Sequence, residues 1–210
     1  MNNIYLSEKK DGSMNKKKNI SSFLDKINID FNNFVRADLV HGKNVEIINN
    51  AVEGVILNTD GLITKANLSL GVTVADCLPV YIKSENITGI IHAGWKSIYK
   101  GIIQEFILKA KKIGERPKNL EVFIGPSIMD CHYEVGQELI NKFSDHLNCF
   151  RKEEGKTYLS LQKVSKQKFK EFGVNNIEIS NSCTFCEKNL FSYRRDKKLN
   201  NMLAVIKPIK

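Results

Sequence analysis

Apolar residues recur along this chain with two different periods. Short β-branched runs bounded by Gly, Asn or Asp predict strands at residues 3–7, 52–57, 70–75, 78–83, 87–93, 120–125, 176–180 and 202–207. Between them, spacings of three and four predict helices. Residues 97–114 place Ile98, Ile102, Phe106, Ala110 and Ile113 on one face, with Gly114 as a stop. Residues 135–147 repeat Val135, Leu139, Phe143 and Leu147. Residues 160–173 open on Ser160 as an N-cap, bury Leu161, Val164, Phe169 and Phe172, and end at Gly173. In a short helix at 21–27, Ser22 and Asp25 have capping-box spacing. Strands outnumber helices, and several adjoin with no helix between them. The pattern predicts an α+β fold over residues 1–210: a single-domain layered sandwich, with a mixed β-sheet and helices packed on its faces.

Composition changes this picture little. A hydrophobic share of 42% and a charged share of 26% are those of a soluble globular chain. No apolar run approaches the roughly 18 residues of a membrane span. The first 18 residues carry no apolar block of signal-peptide length, so a cytoplasmic location and no membrane partner are expected. The net charge of +9 comes mostly from Lys spread between Lys9 and Lys210, with runs at 16–18 and 111–112 in an expected loop and helix end. That distribution reads as solvated surface rather than a nucleic-acid stripe, although the field favours anionic substrates such as phosphate. Nothing marks an obligate protein partner. Five cysteines, an odd number in a chain of this type, argue against a disulfide framework. Each is a packed thiol, a metal ligand or a nucleophile.

Candidate chemistry gathers at strand ends. His41 precedes Gly in a turn, Cys77 follows it by 36 positions, and His92 follows Cys77 by 15. Spacing this wide excludes a local zinc knuckle and suits a site assembled from loops at the ends of strands. Two imidazoles and a thiolate make a ligand set for zinc with a fourth corner open, the catalytic arrangement. Taken singly, the same residues read as a packed thiol beside Pro79 and hydrogen-bonded imidazoles.

The blocks VHG (40–42), ADCLPV (75–80), HAGWKS (92–97), IGPSI (124–128) with YEVG (133–136), and CTFCEKNLFSYRRD (183–196) together resemble the laccase-domain family. Its members, once called polyphenol oxidases, are now described as purine nucleoside phosphorylases. The resemblance runs in family order from about residue 36 to the C-terminus, and residues 1–35 look like a shortened N-terminal portion. It implies a mixed α/β sandwich and a metal site of His41, Cys77 and His92. It also implies phosphorolysis of adenosine, inosine, guanosine and methylthioadenosine, with some adenosine deaminase activity. The sequence departs from the family pattern at Leu39, where Gln is usual, and at Asn200 and Asn201, where a small residue and Arg are expected.

On this reading the catalytic group comprises Cys77, His92, Asp76, Arg194 and Arg195. The two arginines offer forked anion clamps for phosphate, and one of them has Asp196 as a competing partner. Asp76 and Glu134 are candidates for moving protons. Trp95 offers a flat face to a purine, or else a core aromatic. Gly94 is expected to let the chain turn tightly behind His92, and Pro79 to stiffen it after Cys77. The cofactor is zinc, with copper second. A four-copper oxidase would need on the order of ten imidazoles, and the chain has four in all. Two rival readings remain: a hydrolase with Cys77 as nucleophile and His92 as base, and a zinc-stabilised binding module built on Cys131, His132, Cys183 and Cys186. Against the module, Cys183 is expected to pack near the main site and Cys186 to be incidental.

Overall fold

The computed structural model describes residues 3–49 and 54–208. Thirteen strands occur among them. The first six are β1 (Ile4–Leu6), β2 (Phe34–Ala37), β3 (Val45–Ile48), β4 (Val55–Ile56), β5 (Gly61–Thr64) and β6 (Ser69–Val74). Then come β7 (Leu78–Lys83), β8 (Thr88–Ala93), β9 (Glu121–Ile124), β10 (Phe150–Glu153), β11 (Lys156–Leu159), β12 (Asn176–Ile179) and β13 (Met202–Ile206). The α-helices are α1 (Lys17–Lys26), α2 (Trp95–Lys100), α3 (Ile102–Lys112), α4 (Gln137–Lys142), α5 (Leu161–Glu171) and α6 (Tyr193–Asp196).

The fold is α+β, with two mixed sheets where one was expected. The first has order β1-β13-β6-β2-β4 and the second β12-β9-β7-β8-β5-β3, while β10 and β11 form a separate hairpin. Alternation along the strands explains how the layers stack. In β13, Met202, Ala204 and Ile206 face the second sheet, where they join Leu62, Tyr81 and Ile90; Leu203 and Val205 face Ile20, Phe23 and Leu24 of α1. In β7, Leu78, Val80 and Ile82 face away from the first sheet, towards Ile102, Phe106 and Ile107 of α3 and Val164 and Phe169 of α5. The order of layers is therefore α1, sheet, sheet, then α3 with α5. No described helix is long and apolar enough to cross a membrane.

Eight strands match the expected runs, although residues 52–53 of one run lie outside the described residues. Strands β2, β3, β5, β10 and β11 escaped prediction. They are four residues long, and most carry a charge or a glycine that hides the apolar alternation. The helix expected at 97–114 is two helices, because Gly101 sits at φ +92° and ends α2 before α3 begins. Helix α1 starts at Lys17, which puts Ser22 and Asp25 inside it, so the capping box does not form. The pattern at 135–147 gives only α4 followed by a 3-10 segment. Helix α5 has Ser160 as its N-cap, accepting from the Lys163 N–H, and Gly173 follows it at φ +87°.

Candidate metal and substrate site

The three predicted ligands converge: one donor atom each from His41, Cys77 and His92 lies within 4.8 Å of the others. Each arrives by a different route. His92 is carried by β8 and is only 2% exposed. Cys77 sits in the short turn between β6 and β7, directly after Asp76, whose φ of +83° swings the chain round. His41 lies in the loop between β2 and β3, itself at φ +54°. The two imidazole rings meet edge to face, with centroids 5.0 Å apart. Gly94 serves differently from the expectation: its φ of −79° is ordinary, but a Cβ there would lie 2.8 Å from the Cys77 sulfur. Glycine is needed for close approach, not for a turn.

A buried carboxylate holds this arrangement. Asp60, fully buried, accepts from the backbone N–H groups of Val40 (3.3 Å), His41 (3.0 Å) and Gly42 (2.7 Å). Its Oδ1 also lies 3.0 Å from His92 Nδ1, and its carbonyl oxygen accepts the His92 N–H at 2.7 Å. One carboxylate thus ties the His41 loop to the His92 ring through Nδ1 and leaves Nε2 outside that contact. A carboxylate behind an imidazole is how metal-binding histidines are oriented. No local pattern marks it, since Thr59-Asp60-Gly61 reads only as a turn before a strand.

Burial by itself would raise the Cys77 thiol and lower the His92 imidazolium. The facing charge of His92, with hydrogen bonds from both imidazoles, outweighs this and brings Cys77 down to about 6. The Cys77 charge and Asp60 likewise bring His92 up to about 9. Stability from the raised imidazole is full below its ordinary 6.5 and is lost as pH rises through 9. That from the depressed thiol is full above its ordinary 9.0 and is lost as pH falls through 6. Without metal the pair is therefore thiolate and imidazolium across neutral pH. A cation accepts the thiolate but requires neutral His92, so its uptake between those limits expels one proton from the pair. Apparent zinc affinity should rise about tenfold per pH unit there. Competition titrations against a chromophoric chelator at three pH values in the window would read this slope; a flat profile would contradict the assignment.

The site opens into a cavity of about 650 Å³ lined by Arg36, Asp76, Ile128, Tyr133, Arg194 and Asn201 among others. A larger neighbouring cavity of about 850 Å³ shares Asn15, Arg36 and Thr73 with it but contains none of the three ligands. Arg194 faces the site cavity, with Nη1 donating to the Glu134 carbonyl at 3.0 Å and its guanidinium 5.1 Å from the Tyr133 ring centre. Arg195 does not line the cavity. Its guanidinium donates to the carbonyls of Thr184, Phe185, Glu187 and Leu190 and to both Asp196 oxygens, so it is a staple for residues 184–190. Asp76 has both oxygens engaged, Oδ1 by the Thr184 hydroxyl at 2.6 Å and Oδ2 by the Arg194 N–H at 2.7 Å, an anchoring arrangement. Glu134 lies outside the lining and pairs with Lys156 at 3.4 Å. Trp95 packs against the core cluster of α3 and α5 rather than lining the cavity. Leu39 and Asn201 do line it, so two of the departures from the family pattern face the ligand space.

Residues 3–208 match a protein family described as multi-copper polyphenol oxidoreductase laccase. A purine nucleoside phosphorylase of Aquifex aeolicus is 34% identical over 151 residues, which is 71% of each chain. A purine nucleoside phosphorylase of Clostridium acetobutylicum is 37% identical over 163 residues, covering 72% of this chain and 67% of that one. The crystal structure of the hypothetical protein YfiH of Bacillus licheniformis superposes with a TM-score of 0.84 and 30% identity, over 91% of this chain and 80% of that one.

Proposed function

The chain belongs to the multi-copper polyphenol oxidoreductase laccase family, and from that premise we propose that it is a zinc-dependent purine nucleoside phosphorylase. The observation that carries this reading is the convergence of His41, Cys77 and His92 on the lining of a cavity that also presents Arg194. The names of the two curated relatives support it. The donor set fits zinc: one soft thiolate and two imidazoles, one of them oriented by a buried carboxylate. Four histidines in the whole chain do not fit a four-copper centre. When bound, zinc would supply a Lewis acid at His41, Cys77 and His92.

In phosphorolysis a phosphate oxygen bonds to C1′ of the ribose as the bond from C1′ to the purine nitrogen breaks. Positive charge grows on the sugar, and the base departs with the electron pair. The chain's part is to place two anions, the arriving phosphate and the departing purine. Arg194 and Arg36 put guanidinium groups on the cavity wall, and a guanidinium matches phosphate oxygens in pairs. Asp76 fixes the Arg194 backbone and is a positioning residue. Tyr133 and Ile128 give the wall apolar area for a base or ribose. The substrates are adenosine, inosine, guanosine and methylthioadenosine, and adenosine deamination is a side activity. Leu39 and Asn201 bear on which nucleoside is preferred.

Metal-replete protein incubated with inosine or adenosine and phosphate should release free base and ribose 1-phosphate. Absence of product with every purine nucleoside would defeat the proposal. The Cys77 thiolate beside the His92 imidazolium, with Asp60 behind it, favours a second reading as a thiol hydrolase. Iodoacetamide separates the two. A metal-held thiolate resists alkylation until chelator is added, whereas a free nucleophile reacts at once.

A further inference from the structure

A second set of metal-capable side chains lies apart from the three ligands. Cys131, His132, Cys183 and Cys186, distant in sequence as two pairs, each offer a donor atom within 4.8 Å of the others. The expectation that Cys186 is incidental fails on this geometry. Its sulfur lies 3.9 Å from that of Cys131, and His132 Nδ1 lies 3.2 Å from the Cys131 sulfur and 3.3 Å from the Cys186 sulfur. Two sulfurs bound at about 2.3 Å to one tetrahedral zinc sit about 3.8 Å apart, and a sulfur and an imidazole nitrogen about 3.5 Å apart. A disulfide would need about 2 Å between sulfurs, so the spacing is that of a coordination shell.

The surroundings are built for the same purpose. The backbone N–H of Met129 donates to the Cys183 sulfur at 3.4 Å, and that of Cys186 donates to the Cys183 carbonyl at 3.1 Å, which closes the turn at 183–186. The His132 ring stacks on Phe185 with centroids 4.1 Å apart and planes 17° apart, which fixes the direction of Nδ1. Cys183 is buried while Cys131 and Cys186 face solvent, so an ion can enter from outside.

We propose that Cys131, His132, Cys183 and Cys186 form a second, structural zinc site, independent of the catalytic reading of the first. Four protein ligands leave no open corner, and three thiolates select zinc over harder cations. The ion joins the turn after β9 to the turn at 183–186. Both segments adjoin residues that line the substrate cavity: Tyr133 follows the first pair, and Thr184 in the second turn donates to Asp76, which also holds the Arg194 N–H at the start of α6. Zinc here would tie these two segments to each other beside the cavity.

The test uses the full chain with Cys77→Ser, which removes the sulfur ligand of the first site. This protein, purified in reductant, should retain about one zinc per chain. Its cobalt-substituted form should show thiolate-to-cobalt charge transfer of three-sulfur intensity. Adding Cys186→Ser should remove that equivalent, Cys186→His should keep it, and chelation should lower the melting temperature of the Cys77→Ser protein. Failure of Cys77→Ser to hold zinc or to give the cobalt spectrum would overturn the proposal, with no substitution in the cluster needed. So would zinc content unchanged by Cys186→Ser, or a Cys131–Cys186 disulfide in the reductant-purified protein.

Discussion

Replacing Cys77 by Ser is expected to lower kcat/KM for inosine phosphorolysis by at least about 10³-fold, or about 4 kcal/mol of transition-state stabilisation. The thiolate is the only anionic ligand among His41, Cys77 and His92. A serine hydroxyl stays neutral at pH 7 and offers zinc a far weaker donor. His92 also loses the facing charge that helps hold it protonated in the metal-free chain. The substitution is small and adds no atom against Gly94, whose space the sulfur already fills, so the fold should persist. Steady-state kinetics with zinc counting checks this. Undiminished turnover after the first site's zinc is lost would remove that site from the reaction.

Asp60→Asn is the second large effect expected. Zinc affinity at the first site should fall about 10- to 100-fold, as it does when a carboxylate behind a metal-binding histidine is lost. Stability should fall by about 2–4 kcal/mol. An amide has one acceptor oxygen, whereas the buried carboxylate takes three backbone N–H groups and the His92 ring. The amide nitrogen must then face a donor. The pH dependence has a defined sign. Burial alone would raise the Asp60 carboxyl, but hydrogen bonds from His92, Gly42 and Val40 and the His92 charge bring it below its ordinary 3.8. Its contribution to stability is thus full above that value and lost as pH falls through the lower folded-state value. Urea denaturation of wild type and Asp60→Asn should show a gap at neutral pH that narrows in acid. A purely structural Asp60 would lower stability and leave zinc affinity unchanged. A positioning Asp60 moves both.

Much of the scaffold is legible in the chain. Buried runs such as 78–83 and 87–93 need no partner information to read as strands, because β-branched density and bounding turns mark them. The short strands β2, β3 and β5 are visible only once their neighbours are in place, since Arg36, Glu46 or Gly61 breaks the alternation. The division into two sheets was also hidden, because strand order depends on pairings such as β13 with β6, between residues far apart in sequence. Arg194 and Arg195 look equivalent on paper. Four backbone carbonyls and Asp196 claim one, and the cavity receives the other. Trp95 was open between ligand face and core, and packing against the α3–α5 cluster decided it.

By itself the sequence determined which donor types exist and where: thiol and imidazole at the ends of predicted strands, and a Cys-x-x-Cys pair late in the chain. It determined the α+β class through the periods of its apolar residues. Only the tertiary structure decided that Asp60 stands behind His92, and that Cys131 and His132 meet Cys183 and Cys186. The physical reason is range. Periodicity and capping act over a few residues of one segment, whereas a side-chain cluster is fixed by sheet register and by loops such as that at His41, whose φ of +54° is held by hydrogen bonds from 19 positions away.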